Sequence, residues 1–79
     1  MIIIASGLVQ GVLYRHTAKQ KAEELRITGW ARNELDGSVG IEAEGEEENL
    51  QKFIEWCRKG SIGARVDDLK VTDSDSQNE

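Results

Sequence analysis

The residues that could do chemistry gather in "SGLVQGVLYRHT", Ser6 to Thr17. Gly7 and Gly11 stand four apart between an apolar run and a helical pattern, and Arg15 follows four residues after the second glycine. A strand-to-helix connection aims several backbone N–H groups into one small space, and the first free N–H groups of the helix add positive potential there. Such a place attracts phosphate. Glycine fits where the backbone takes positive φ or must approach a ligand closely. An arginine in the first helical turn can fold back over the loop, and its guanidinium is a permanently charged, rigid fork of donors suited to phosphate oxygens. The loop is not a Walker A motif, because no Lys-Ser or Lys-Thr follows the second glycine, and it lacks the third glycine of the dinucleotide fingerprint. From these residues alone two readings stand: an anion site, or a glycine-relieved turn beside a solvated arginine.

Other chemistry has less to work with. Cys57 is the only cysteine and His16 the only histidine. They leave no internal disulfide, no metal-ligand spacing and a poor basis for a histidine-based zinc site or a Ser-His-Asp triad. Glu46, Glu47 and Glu48 read as helix-start electrostatics rather than metal ligands. His16 neighbours Arg15 but is expected to face elsewhere on the helix. Tyr14 and Cys57 read as core residues, and Trp30 and Trp56 as packing or partly exposed positions. The net charge of -5 argues against nucleic acid as a partner. It leaves room for a small anion in a locally positive pocket. No apolar run spans a bilayer, and "MIII" is too short for a signal-peptide core. A cytoplasmic protein without membrane contact is expected.

The elements that must position these groups follow from periodicity. Seventy-nine residues, 38% apolar and 32% charged, make one small globular domain with a limited core. Ile2, Ile3, Ile4 and Val9 give a central strand broken at Ser6-Gly7. Tyr14, Ala18, Ala22 and Leu25 line one face of a helix reaching Ile27, with Gly29 as its stop. Trp30–Leu35 and Val39–Glu44 read as paired strands around the hairpin signal Asp36-Gly37. A second helix runs from about Glu46 to Lys59, with Leu50, Phe53, Ile54 and Cys57 as its apolar stripe and Gly60 as cap. "ARVDDLKV" is the last strand, with a bulge near Asp67-Asp68. The domain spans 1–72, and 73–79 is a polar, acidic tail expected to be disordered. The order strand, helix, strand, strand, helix, strand is the α+β, ferredoxin-like βαββαβ pattern, with two helices on one face of an antiparallel sheet.

Two stretches resemble the signatures of the acylphosphatase family. "GLVQGVLYR", Gly7–Arg15, is similar to the first, glycine-x-valine-x-glycine-valine-x-aromatic-arginine. "GWARNELDGSVGIEAEG", Gly29–Gly45, is similar to the second, with a glycine-aromatic-small-x-asparagine start. The resemblance implies hydrolysis of the carboxyl–phosphate bond of small acyl phosphates, with no metal and no organic cofactor. It implies that Gly7, Leu8, Val9, Gln10, Gly11 and Val12 form a loop whose N–H groups hold the phosphate. Arg15 would bind the same phosphate, and Asn33 would hold the attacking water. A monomer is expected, with an edge-strand dimer as the alternative. The competing functional readings are an anion-binding or interaction module of the same fold with lost or reduced activity, and a domain cut from a larger carbamoyl-transfer maturation protein.

The chain departs from the resemblance in a few places. Leu8 stands where the family usually has lysine or arginine, so the pocket mouth has one positive charge fewer. Gly40 sits where a polar or larger strand residue is usual. Ser61-Ile62 replaces a familiar proline, and that turn should lose rigidity. The family's final strand has no counterpart, which should leave an unpaired sheet edge and lower stability.

Overall fold

The computed structural model describes residues 1–72; the tail expected over 73–79 lies outside the described residues. Its elements are β1 (Ile2–Leu8), α1 (Tyr14–Glu24), β2 (Thr28–Asn33), β3 (Val39–Glu44), α2 (Glu47–Lys59) and β4 (Arg65–Thr72). The strands form one antiparallel sheet in the order β2-β3-β1-β4. This is the expected ferredoxin-like arrangement.

Strand alternation decides which residues meet the helices. In β1, Ile3 faces Ile41 and Ala5 faces Val39 across the ladder. All four are buried with Ala43, Tyr14, Ala18, Phe53 and Cys57 in one core. Trp56 completes the packing, its ring 5.2 Å from that of Tyr14 and 6.3 Å from that of Phe53. Trp30 instead sits on the edge strand, half exposed, with the Arg32 guanidinium 4.9 Å above its ring.

Helix α1 ends earlier than its apolar pattern suggests. It stops at Glu24, and Arg26 takes the left-handed conformation at φ 58°. Ile27 N–H then donates to the Ala22 carbonyl at 2.8 Å and Arg26 N–H to that of Glu23 at 3.1 Å. Those two bonds are a Schellman ending, which usually places glycine where Arg26 stands. Gly29 is therefore not the stop but part of β2. That strand begins at Thr28 and ends at Asn33, two residues ahead of the expected span.

The β2–β3 turn is a three-residue loop closed by Glu34 and Ser38. Glu34 N–H donates to the Ser38 carbonyl at 2.8 Å, and Gly37 N–H to the Glu34 carbonyl at 3.2 Å. Gly37 supplies the positive φ, 94°, that such a turn needs at its last position. Asp36 Oδ1 accepts from both the Ser38 N–H, at 3.0 Å, and the Ser38 hydroxyl, at 2.6 Å. Gly40, which stands where a polar or larger strand residue is usual, is buried; the Glu34 carboxylate lies where its side chain would be.

In β4 the predicted bulge is present. Ser6 pairs with Asp68 and Gly7 with Val66, so Asp67 is the extra residue. At the other side of the sheet, no strand among the described residues pairs with the outer edge of β2, most of whose residues are exposed.

Candidate active site

The connection between β1 and α1 is built around unusual backbone. Gly7 has φ 124°, and a Cβ there would overlap the Arg65 carbonyl oxygen and come within 2.7 Å of the Asp67 nitrogen. It is glycine for both reasons at once, conformation and close approach of β4. Gly11 has φ 77° but open space around it, so only conformation constrains it. Leu13, at the N-terminal boundary of α1, is left-handed too, at φ 62°, and is 72% exposed. Nothing in its residue type marks it for that role. A non-glycine residue in this region stores strain, and such residues concentrate at functional loops.

The polar groups of the loop are arranged for an external partner. Among the described residues, no backbone N–H from Val9 to Leu13 donates a hydrogen bond within the protein. The N-terminus of α1 has no side-chain cap and no acidic residue in its first turn. Its first N–H groups thus keep their positive potential. Three side-chain and backbone contacts hold the loop from outside. Gln10 Nε2 donates to the carbonyls of Glu34 and Ser38, both at 2.9 Å. Ser61 Oγ donates to the Val12 carbonyl at 3.3 Å. Gly7 lies against β4. Ser61 thus supplies a tether in the turn where rigidity was expected to fall.

Gly11, Val9, Arg15 and Asn33 line one open groove of about 910 Å³ between α1 and β2. Gly7, Leu8, Gln10 and Val12 do not line it. Arg15 and Asn33 are both exposed, and neither side chain has a hydrogen-bond or ion-pair partner among the described residues. Their elements explain the placement. Arg15 is the second residue of α1, at the end that meets the loop. Asn33 closes β2 opposite Val39, on the helix-facing side that Ala31 shares with Ile41. His16, expected to face away, borders the same groove.

The neighbourhood of Leu8 is less bare of charge than its residue type implies. Leu8 is half exposed, and its cross-strand partner is Arg65. That guanidinium is committed to Asp67, through Nε at 3.0 Å and Nη2 at 3.4 Å. The strongly displaced acids lie in the core. Burial pushes the Tyr14 phenol far up, and its hydroxyl donates to the Cys57 carbonyl at 2.7 Å. Burial pushes the Cys57 thiol up to about 12. Neither can ionise near neutrality, so neither offers an acid, base or nucleophile to the groove. No cluster of metal-ligating side chains occurs among the described residues. No helix among them is long and apolar enough to cross a membrane.

Comparison with known proteins agrees on one family. Residues 1–79 match the family described as Acylphosphatase. The chain is 53% identical over 62 residues to an acylphosphatase of Legionella pneumophila strain Corby, covering 78% of this chain and 68% of that protein. It is 48% identical over 69 residues to the acylphosphatase of Methylococcus capsulatus, covering 87% and 75%. The crystal structure of acylphosphatase from Bacillus subtilis superposes with a TM-score of 0.88 at 42% identity, over 90% of this chain and 79% of that one. An acylphosphatase structure from Coxiella burnetii gives 0.84 at 38% identity, over 87% and 73%.

Proposed function

The chain belongs to the acylphosphatase family and hydrolyses acyl phosphates, and we propose that the loop Gly7–Val12, Arg15 and Asn33 are the groups that do it. In this reading the phosphoryl group sits at the N-terminus of α1, held by the N–H groups of Val9, Gln10, Gly11 and Val12, while Gly7 and Leu8, paired with β4, fix the start of the loop. The Arg15 guanidinium grips two of its oxygens. Asn33, across the groove, orients a water toward phosphorus, because its amide can both donate to and accept from water. The water oxygen bonds to phosphorus as the bond to the acyl oxygen breaks. The electron pair leaves on the carboxylate, and the proton of the water passes to phosphate or solvent.

This sparse equipment suits the reaction. A carboxylate is a stable leaving group, with a conjugate acid of pKa near ~4, so no general acid is needed to expel it. Charge is spread over the phosphoryl oxygens in the transition state, and positioning with fixed dipoles supplies most of the catalysis. No metal is assigned a role. A monomer is the proposed working unit, and the cytoplasm is the proposed compartment, where a free thiol such as Cys57 stays reduced.

The observation that carries the reading is that Gly11, Arg15 and Asn33 face one groove while the adjoining loop keeps its N–H groups unpaired. The test is hydrolysis of acetyl or benzoyl phosphate by protein treated with a chelator. Arg15→Ala and Asn33→Ala should each lower the rate on the order of 10²–10³, as removal of one transition-state donor does elsewhere. Unchanged rates in both variants would sink the assignment.

A further inference from the structure

Gln10 is set apart by how its side chain is used. Its carboxamide has two hydrogens to give, and both go to backbone carbonyls of another segment, Glu34 and Ser38 at 2.9 Å each. Those carbonyls belong to the two residues that close the β2–β3 turn, and each already accepts a bond within the turn. The receiving site is therefore made only of acceptors. A carboxylate would be repelled there, and asparagine is one methylene too short.

The location gives the contact its meaning. Gln10 lies inside the β1–α1 loop, one residue before Gly11. Glu34 directly follows Asn33. The two halves of the proposed site thus come from separate segments, and among the described residues Asn33 lies on an edge strand that the sheet holds from one side only. Catalytic geometry is intolerant of such looseness, since a displacement of about 1 Å can cost roughly 10²-fold in rate. We infer that Gln10 is a positioning residue: its side chain sets the distance between the phosphate loop and Asn33 without touching substrate. The inference rests on the assignment of Asn33 proposed above.

The test is a double-mutant cycle with Gln10→Met and Gln10→Glu, each alone and with Asn33→Ala, using benzoyl phosphate as substrate and inorganic phosphate as competitive inhibitor. Each Gln10 substitution should lower kcat by about 10- to 100-fold. The inhibition constant for phosphate should move less than about threefold, because the loop N–H groups and Arg15 remain to bind the anion. In the Asn33→Ala background the Gln10 substitution should cost less than about twofold, because residues acting as one unit are not additive. Losses that multiply, or phosphate binding that falls as far as kcat, would overturn the inference. So would unfolding of both variants at the assay temperature, which would make Gln10 a stability residue. If Asn33→Ala is impaired and Gln10→Met is not, only this inference falls; if Asn33→Ala has the wild-type rate, the role assigned to Asn33 falls with it.

Discussion

Gly7 and Gly11 look alike in the sequence but should respond differently to the same added methyl group. At Gly11, φ is 77° and nothing lies within 4 Å of the new carbon. Alanine there carries only the left-handed penalty of about 1–2 kcal/mol, part of it offset by a less flexible unfolded chain. At Gly7, φ is 124°, and the methyl would collide with the Arg65 carbonyl and the Asp67 nitrogen. Both are backbone atoms of the paired strand, so no side-chain rotation relieves the clash. The pairs Gly7–Val66 and Leu8–Arg65 must separate, and a cost of at least about 3 kcal/mol is expected. A domain of this length holds roughly 4–12 kcal/mol in total. With about 4–8 °C per kcal/mol, Gly11→Ala should lower Tm by roughly 4–10 °C and Gly7→Ala by about 12 °C or more. Activity should rank the other way once stability is allowed for. The Gly11 methyl enters the groove where the phosphate is proposed to sit, so kcat/KM should drop well beyond any unfolded fraction. Thermal denaturation by circular dichroism, with hydrolysis assayed far below both midpoints, separates the two. A Tm for Gly7→Ala within 3 °C of the wild type, or a larger loss for Gly11→Ala, would refute the reasoning.

The remaining predictions concern strain and protons. Leu13→Gly should raise stability by up to about 1 kcal/mol, since the left-handed penalty it removes exceeds the entropy glycine adds; denaturant unfolding measures it. Stability should fall as pH rises above about 9, because the unfolded thiol of Cys57 ionises from its ordinary 9.0 while the folded one holds its proton to about 12. The unfolded state then binds fewer protons, at roughly 1.4 kcal/mol per pH unit for this group, and Cys57→Ala should flatten that alkaline limb. By contrast, kcat should be flat from about pH 6 to 8 apart from titration of the substrate, because arginine, asparagine and backbone N–H groups do not change charge there. His16→Gln should leave both the rate and that profile unchanged, and a fall in rate in the variant would bring the histidine at the groove edge into the mechanism.

How far the sequence carries this reading depends on which residues speak for themselves. Gly7, Gly11 and Gly37 signal positive φ through composition, and each has it. Val39, Ile41 and Ala43 alternate along the expected strand Val39–Glu44, as one buried face requires, and all three are buried. The misses come from residues doing work that their type does not advertise. Arg26 ends α1 in a conformation usually left to glycine, so the apolar pattern overran to Ile27. Gly40 is buried because a side chain six residues earlier covers it, and no strand pattern encodes that. Gln10 was legible as one residue of a loop, but a bond between its side chain and the β2–β3 turn spans 24 residues and leaves no local trace. Family resemblance carried Asn33, which by itself would read as a strand-end residue bonding a turn.

The distribution of perturbed acids bears on why so small a domain can host this chemistry. Strongly displaced pKa values usually point to an active site. Here Tyr14 and Cys57 carry them, and the cause is burial beneath the helices, with the phenol satisfied by a backbone carbonyl. The groove is the opposite case: Arg15, Asn33 and free N–H groups, none needing a tuned proton. A reaction that demanded a raised carboxyl or a lowered lysine would need a desolvated pocket, and desolvation draws on the same limited core that holds the fold together. With a carboxylate as leaving group, that demand disappears. The site can stay open and exposed, and precision has to come from anchoring the loop rather than from enclosing it. The tethers from Gln10 and Ser61 and the glycine contact with β4 are where the structure concentrates that anchoring, at three points around the segment proposed to hold the phosphate, whose N–H groups from Val9 to Leu13 donate no hydrogen bond among the described residues.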